Sequence, residues 1–245
     1  MIISGYLIYW TPYFRGLYYG LPTSITSLTR AIIMLGLNTV KNLALSTAVL
    51  GSIGGKESFQ ALSMDDFWTH SICVGVTAKS LALANGIPSM ESEEYFVAGM
   101  LHDLGKIPLN GRFPKDYVDA LDLVDSGHCP LDRAENTIFD LDHSLVGELI
   151  AEKWQLNENM NNALCHHHAP EEATDGNRRL IFTVALANLF ANMEKIGSSG
   201  DLFPEEDVLD DLLEEVGADW PSLSQMVDQV TEDIEKAKIF LQVSI

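Results

Sequence analysis

Apolar residues recur along most of the chain at intervals of three and four, the spacing of one helix face. Ile25, Leu28, Ala31, Ile32 and Leu35 form such a stripe after Pro22, and Gly36 closes it. Asn38 is placed to cap a second helix, 39–50, with Val40, Leu43, Ala44 and Thr47 inward, and 51–55 reads as a loop. Ser63-Met64-Asp65-Asp66 has the form of a capping box. The helix it opens runs to about Asn85, carries Phe67, Trp68, Ile72, Val74 and Leu81, and is stopped by Gly86 and Pro88. The next, 91–101, turns Tyr95, Phe96, Met100 and Leu101 inward. Gly105 is expected as its C-cap and Pro108 to forbid continuation, which puts His102 and Asp103 in the last turn.

Residues 111–140 read as two short helices around Ser126-Gly127-His128-Cys129-Pro130. Asp142 caps a helix over 143–154, with Leu145, Val146, Leu149 and Ile150 expected inward. Asn157 starts another, which carries Met160, Ala163 and Leu164 and ends in His166-His167-His168-Ala169-Pro170. The segment 178–193 is apolar almost throughout, with Asn188 as the polar intruder. From Asp201 on the composition shifts, with thirteen acids against two lysines, yet Val208, Leu209, Leu212, Leu213 and Val216 keep helical spacing. So do Leu223, Met226, Val227, Val230, Ile234 and Leu241. This pattern predicts acidic amphipathic helices packed on the core, their charge on a solvated face. No stretch alternates with the period of a strand, so the expected class is all-α.

With 245 residues and 47% hydrophobic content the chain can bury a sizeable core, as one large domain or one domain with an appendage. A net charge of −20, with only 15 Lys and Arg and no basic cluster, excludes nucleic acid and anionic membrane surfaces as partners. Met1–Gly20 is aromatic and apolar, but Pro12 and Arg15 interrupt it and it has no basic leader, so it reads as neither signal peptide nor membrane span. Cys73, Cys129 and Cys165 show no paired spacing and imply a reducing, cytoplasmic setting.

The polar residues inside the apolar stripes carry the chemistry. Asp66 and His70 are i, i+4 on one helix face. His102 and Asp103 offer one nitrogen and one oxygen donor on a short segment, with Lys106 one turn on. His143 opens its helix. Of three consecutive histidines about 100° apart, two can flank one cleft and the third must point elsewhere. Asp66, His70, His102, Asp103, His143, His167 and His168 together exceed one tetrahedral site. They suit one divalent transition metal, or two bridged by Asp103: iron, manganese, zinc or nickel.

The order and spacing of Phe67-Trp68-Thr69-His70-Ser71, Ala98-Gly99-Met100-Leu101-His102-Asp103-Leu104-Gly105-Lys106, Asp142-His143-Ser144-Leu145-Val146-Gly147 and His167-His168-Ala169-Pro170 resemble the HD superfamily of metal-dependent phosphohydrolases, most closely its HDOD branch. The resemblance spans about residues 15 to 195. It implies an HD-like helical bundle with His70, His102 and Asp103 as metal ligands and His143, His167 and His168 completing a second position. The family's last acidic ligand appears here as Asn188, whose amide oxygen can ligate but brings no charge. Asp66 stands where the cyclic-dinucleotide-hydrolysing branch has an acidic ligand; the Gly-Tyr-Pro motif of that branch is absent after His168. The implied organisation is a truncated N-terminal helical subdomain over 1–50, a metal-site core over 51–200, and the acidic helices over 201–245. The implied role is a signal-output domain with a protein partner. The alternative is a phosphohydrolase acting on a phosphorylated small molecule, in which Asp103 orients the attacking water and Lys106 neutralises the phosphate.

Overall fold

The computed structural model describes residues 61–173, 176–203 and 206–242, and the side chains within them up to Glu235 except that of Glu206. The helices expected before Leu50, the apolar opening stretch, the truncated subdomain and the inward Leu241 lie outside what is described. The described residues form eleven α-helices and no strand.

Ser63 opens α1 (Met64–Ala84), its hydroxyl accepting from the Asp66 amide at 3.3 Å. Phe67, His70, Ile72, Val74, Leu81 and most of their neighbours are buried, because α1 is covered by α2 (Ser89–Leu101), α8 (Arg178–Met193) and α11 (Val227–Gln242). A helix enclosed in this way needs no polar face, which explains its weak amphipathic pattern. Two glycines let α1 and α2 touch backbone to backbone. A Cβ on Gly99 would lie 2.9 Å from the Gly75 backbone, and one on Gly75 would lie 2.7 Å from the Phe96 carbonyl. That close crossing brings the rings of His70 and His102 to 5.6 Å between centroids.

The end of α2 differs from expectation. Gly105 is not a left-handed C-cap: at φ −63° it precedes a new helix, α3 (Lys106–Arg112). Pro108 falls in the first turn of α3, where no intrahelical donor is needed, so it begins a helix instead of preventing one. His102 and Asp103 therefore sit in a tight turn between two helices. Gly105 has another use: the turn rests on α6 (His143–Trp154), and any Cβ there would run into the His143 carbonyl and the Gly147 amide.

Between these lie α4 (Pro114–Gly127) and α5 (Leu131–Phe139), packed around Ala120, Val124, Leu131 and Ala134. Asp142 caps α6 by accepting from the Leu145 amide at 2.9 Å. The buried face of α6 is His143, Gly147 and Ala151, whereas Leu145 and Leu149 are exposed. The helix is rotated from the expected orientation because Gly147 lets Leu164 of α7 (Glu158–His166) pack against its backbone, and His143 is drawn inward. Asn157 caps α7, accepting from the Met160 amide at 2.9 Å. Beyond α8, α9 (Leu209–Val216) packs on α8, followed by α10 (Trp220–Gln225) and α11 on α1. Leu212, Val216, Leu223, Val230 and Ile234 are buried, so these acidic helices seal the core with their apolar stripes.

Gly105→Ala is expected to lower stability by about 1–3 kcal/mol, since the added methyl forces the turn away from α6. Chemical denaturation of the two proteins measures it.

Candidate metal centre

Asp103 is completely buried, and histidines reach it from α1, from α6 and from the turns after α2 and α7. On one side, His143 Nε2 lies 3.3 Å and His167 Nε2 3.5 Å from Oδ1, with His168 beside them. On the other, His102 Nε2 lies 3.3 Å and His70 Nε2 3.8 Å from Oδ2, which also accepts from the Lys106 ammonium at 2.8 Å. Asn188 Oδ1, from the middle of α8, bonds His70 Nε2 at 3.0 Å.

Three of the rings are held in one tautomer from behind. His102 Nδ1 is 2.6 Å from the Gly99 carbonyl and His167 Nδ1 3.0 Å from the Ala163 carbonyl, so both donate from Nδ1. His143 Nδ1 lies 2.6 Å from Glu135 Oε2, which also accepts from the His143 amide at 2.8 Å. Glu135 Oε1 in turn accepts from the Tyr117 hydroxyl at 2.8 Å. With Nδ1 committed, each ring presents Nε2 to the centre, the arrangement found behind metal-ligating histidines.

The charges follow from burial and neighbours. Burial opposes ionisation of Asp103, but His102 and Lys106 outweigh it and hold its carboxyl well below the usual range. Burial also opposes the Lys106 charge, and Asp103, with Asp201 and Glu135, keeps the ammonium pKa raised. Burial pushes His70 down to about 3 and His167 to about 4, and lowers His168 as well. His143 is the exception: burial works against its charge, but Glu135 raises its pKa above the usual 6.5.

The donor set fits a divalent metal. His143 Nε2 is 3.2 Å from His167 Nε2 and 3.1 Å from His168 Nε2. Ligand atoms about 2.0–2.2 Å from a common ion stand roughly 3.0–3.5 Å from one another. Asp103 Oδ1 and His102 Nε2 are buried without a hydrogen-bond partner. Such groups are costly to bury unless something binds them. No cysteine joins either group, and the nitrogen and oxygen donors suit iron, manganese, zinc or nickel. A cavity of about 580 Å³ opens beside His167, His168 and Asn188, between the 167–171 turn, α8 and α9.

Of the residues singled out in the sequence, His70, His102, Asp103, His143, His167 and His168 converge. Asn188 joins them through His70. Asp66 does not: it is exposed in the first turn of α1 and belongs to neither cluster, its backbone carbonyl instead accepting from the Ser198 amide. Lys106 is only 1% exposed, donates to Asp103 and to Ser199 Oγ at 3.2 Å, and is not among the residues that line the cavity. His166 points outward, 3.9 Å from Glu172. Sequence reading missed Glu135 and Tyr117. The signal was present: with Leu131 and Ala134 inward, Glu135 occupies a core position at i+4 of a short helix.

Two outcomes follow. In metal-free protein, His70 and His167 stay neutral down to about 3 and 4, whereas in the unfolded chain they take up protons near 6.5. The folded state then binds fewer protons, so their contribution is intact above 6.5 and lost as pH falls toward 4. His143 is protonated in both states over that window and does not offset the loss, so denaturation midpoints are expected to fall there. Second, Glu135→Gln removes one of the two acceptors needed by His143 and Tyr117 and is expected to weaken metal binding about 10–100-fold. Competition against a chelator reads this directly.

The HDOD domain profile matches residues 17–170. A protein of Treponema pallidum (strain Nichols), itself uncharacterised, is 26% identical over 175 residues, covering 70% of this chain and 32% of its own length. The chain thus spans about a third of the curated relative it matches. The crystal structure of an HDOD domain protein of unknown function from Geobacter sulfurreducens superposes with a TM-score of 0.72 at 22% identity, covering 96% of this chain and 82% of that one. The MmoQ response regulator from Methylococcus capsulatus superposes at 0.54 and 22% identity, covering 85% and 78%. With the profile spanning more than half its length and the fold matching, the chain belongs to the HDOD family.

Proposed function

We propose that this chain is a regulatory, signal-output HDOD domain whose buried centre holds one or two divalent transition metal ions and which acts through a protein partner. The observation that carries the metal is the cluster of Nε2 atoms around a buried carboxylate, each of three rings fixed from behind through Nδ1. His143, His167, His168 and Asp103 would hold one ion, and His70, His102, Asp103 and Asn188 a second position. A bound ion would supply Lewis acidity there. The regulatory half of the reading is supported by a fold shared with a response regulator and by what surrounds the centre. No described helix is long and apolar enough to cross a membrane. The three cysteines are unpaired, in keeping with a cytoplasmic setting.

The alternative is hydrolysis of a phosphorylated or nucleotide substrate, favoured by the cavity that reaches His167 and His168. Three features weigh against it. Glu171, Asp201, Asp211, Glu214 and Glu215 line that cavity against Arg178 alone, and Arg178 is paired with Glu215 at 2.8 Å. A polyanion entering there meets repulsion. Lys106 is engaged with Asp103. Asn188 gives the centre one negative charge fewer than a carboxylate would.

Elemental analysis of protein purified without chelator, beside His167→Ala, tests the metal; a generic phosphodiester assay tests the activity. The expected outcome is wild-type protein carrying a first-row metal, loss of most of it in His167→Ala, and negligible turnover. Metal-free protein that takes up neither manganese nor iron contradicts the centre. Robust wild-type hydrolysis makes the chain an enzyme.

A further inference from the structure

The two sides of Asp103 are not equivalent. We infer that the first ion binds on the Oδ1 side, to His143, His167, His168 and Asp103, and that the Oδ2 side, with His70 and His102, is a weak second position. This rests on the metal-centre reading above and ranks its two halves.

Three observations carry the ranking. First, Oδ1 accepts no hydrogen bond, whereas Oδ2 already accepts from Lys106 at 2.8 Å. A dication on the Oδ2 side must share that oxygen with an ammonium and bear its repulsion across a few ångströms of dry interior. Second, the rings differ in readiness. His102, His143 and His167 donate from Nδ1 to the Gly99 carbonyl, Glu135 and the Ala163 carbonyl, which turns Nε2 of each toward the centre, so two of the three engaged rings serve the Oδ1 side and one the Oδ2 side. His70 is the reverse: its Nε2 bonds the Asn188 amide oxygen at 3.0 Å, and its Nδ1 is buried without any partner. To ligate through Nε2, His70 must give up the bond to Asn188 and move its proton to Nδ1, where no acceptor waits. An orphaned buried N–H is costly. Third, the remaining donor on the Oδ2 side is a neutral amide whose oxygen also accepts from Asn192 at 3.3 Å. The Oδ1 side has three imidazoles and a carboxylate oxygen, enough for a tetrahedral set, with two of its Nε2 pairs already at 3.1 and 3.2 Å.

Lys106 and Asn188 thus act together. The lysine neutralises Asp103 on the side where the asparagine fails to supply a charge, so the pair lets the centre stand with one ion.

The test is calorimetric titration of the metal-stripped full chain with zinc, with stoichiometry checked by elemental analysis. Wild type is expected to take one tight equivalent and a second at least about 100-fold weaker. His168→Ala, on the half-buried and most accessible ring, should weaken the tight equivalent by about 100-fold. His70→Ala should leave it within about threefold while abolishing the weak one. Asn188→Asp should tighten the second by at least about tenfold, toward two ions per chain. His70→Ala and Asn188→Asp do not depend on His168→Ala folding. Two equivalents of equal affinity, or loss of the tight equivalent in His70→Ala, overturns the ranking while leaving the centre standing. Absence of any zinc binding overturns the centre itself, and the ranking with it.

Discussion

A carboxylate with no solvent contact has to be compensated, and in this chain that requirement falls on Asp103. The penalty for burying an isolated ion amounts to several kcal/mol even after relaxation. Lys106 answers it on one oxygen at 2.8 Å, and histidines from α1, α6 and the turn after α7 gather around both. The architecture serves that convergence. Gly75 and Gly99 bring α1 onto α2, and Gly105 seats the turn on α6.

Charge is distributed around the centre in layers. Glu135 stands behind His143 and Tyr117 behind Glu135, a buried relay in which every member has a partner. Such a network fixes one tautomer and one ring orientation, which is how an outer layer tunes what an inner one can bind. Asn188, a neutral amide in the middle of an apolar helix, bonds His70 at 3.0 Å. The cavity outside is walled with acids from α9 and the 167–171 turn. The buried donors could hold an ion, and the acidic wall of the cavity repels an approaching polyanion.

Much of this was legible in the sequence, and the reasons are physical. Helices with a one-sided stripe, such as Leu209–Val216, announce themselves by period, and Asp142 and Asn157 announce their caps. The polar residues within apolar stripes, His70 and Asn188, pointed inward as expected because burying them without a purpose is costly. Three features escaped. The turn at 102–105 followed by a helix through Pro108 was hidden because proline is a stop signal inside a helix but a start signal in its first turn. The rotation of α6, which exposes Leu145 and Leu149, depends on Gly147 meeting Leu164, a contact between helices that no local pattern contains. Asp66 and His70 share the spacing of a ligand pair, but the centre approaches α1 from the side of His70 alone, leaving Asp66 to the helix N-terminus.

The central claim is that the buried histidines surround a metal ion. X-ray absorption spectroscopy of the purified protein tests it without reference to activity. The account predicts an edge for a first-row transition metal with nitrogen and oxygen neighbours at about 2.0–2.2 Å and the multiple-scattering signature of several imidazoles. A spectrum with sulfur neighbours, or with an oxygen shell lacking imidazole, would contradict it.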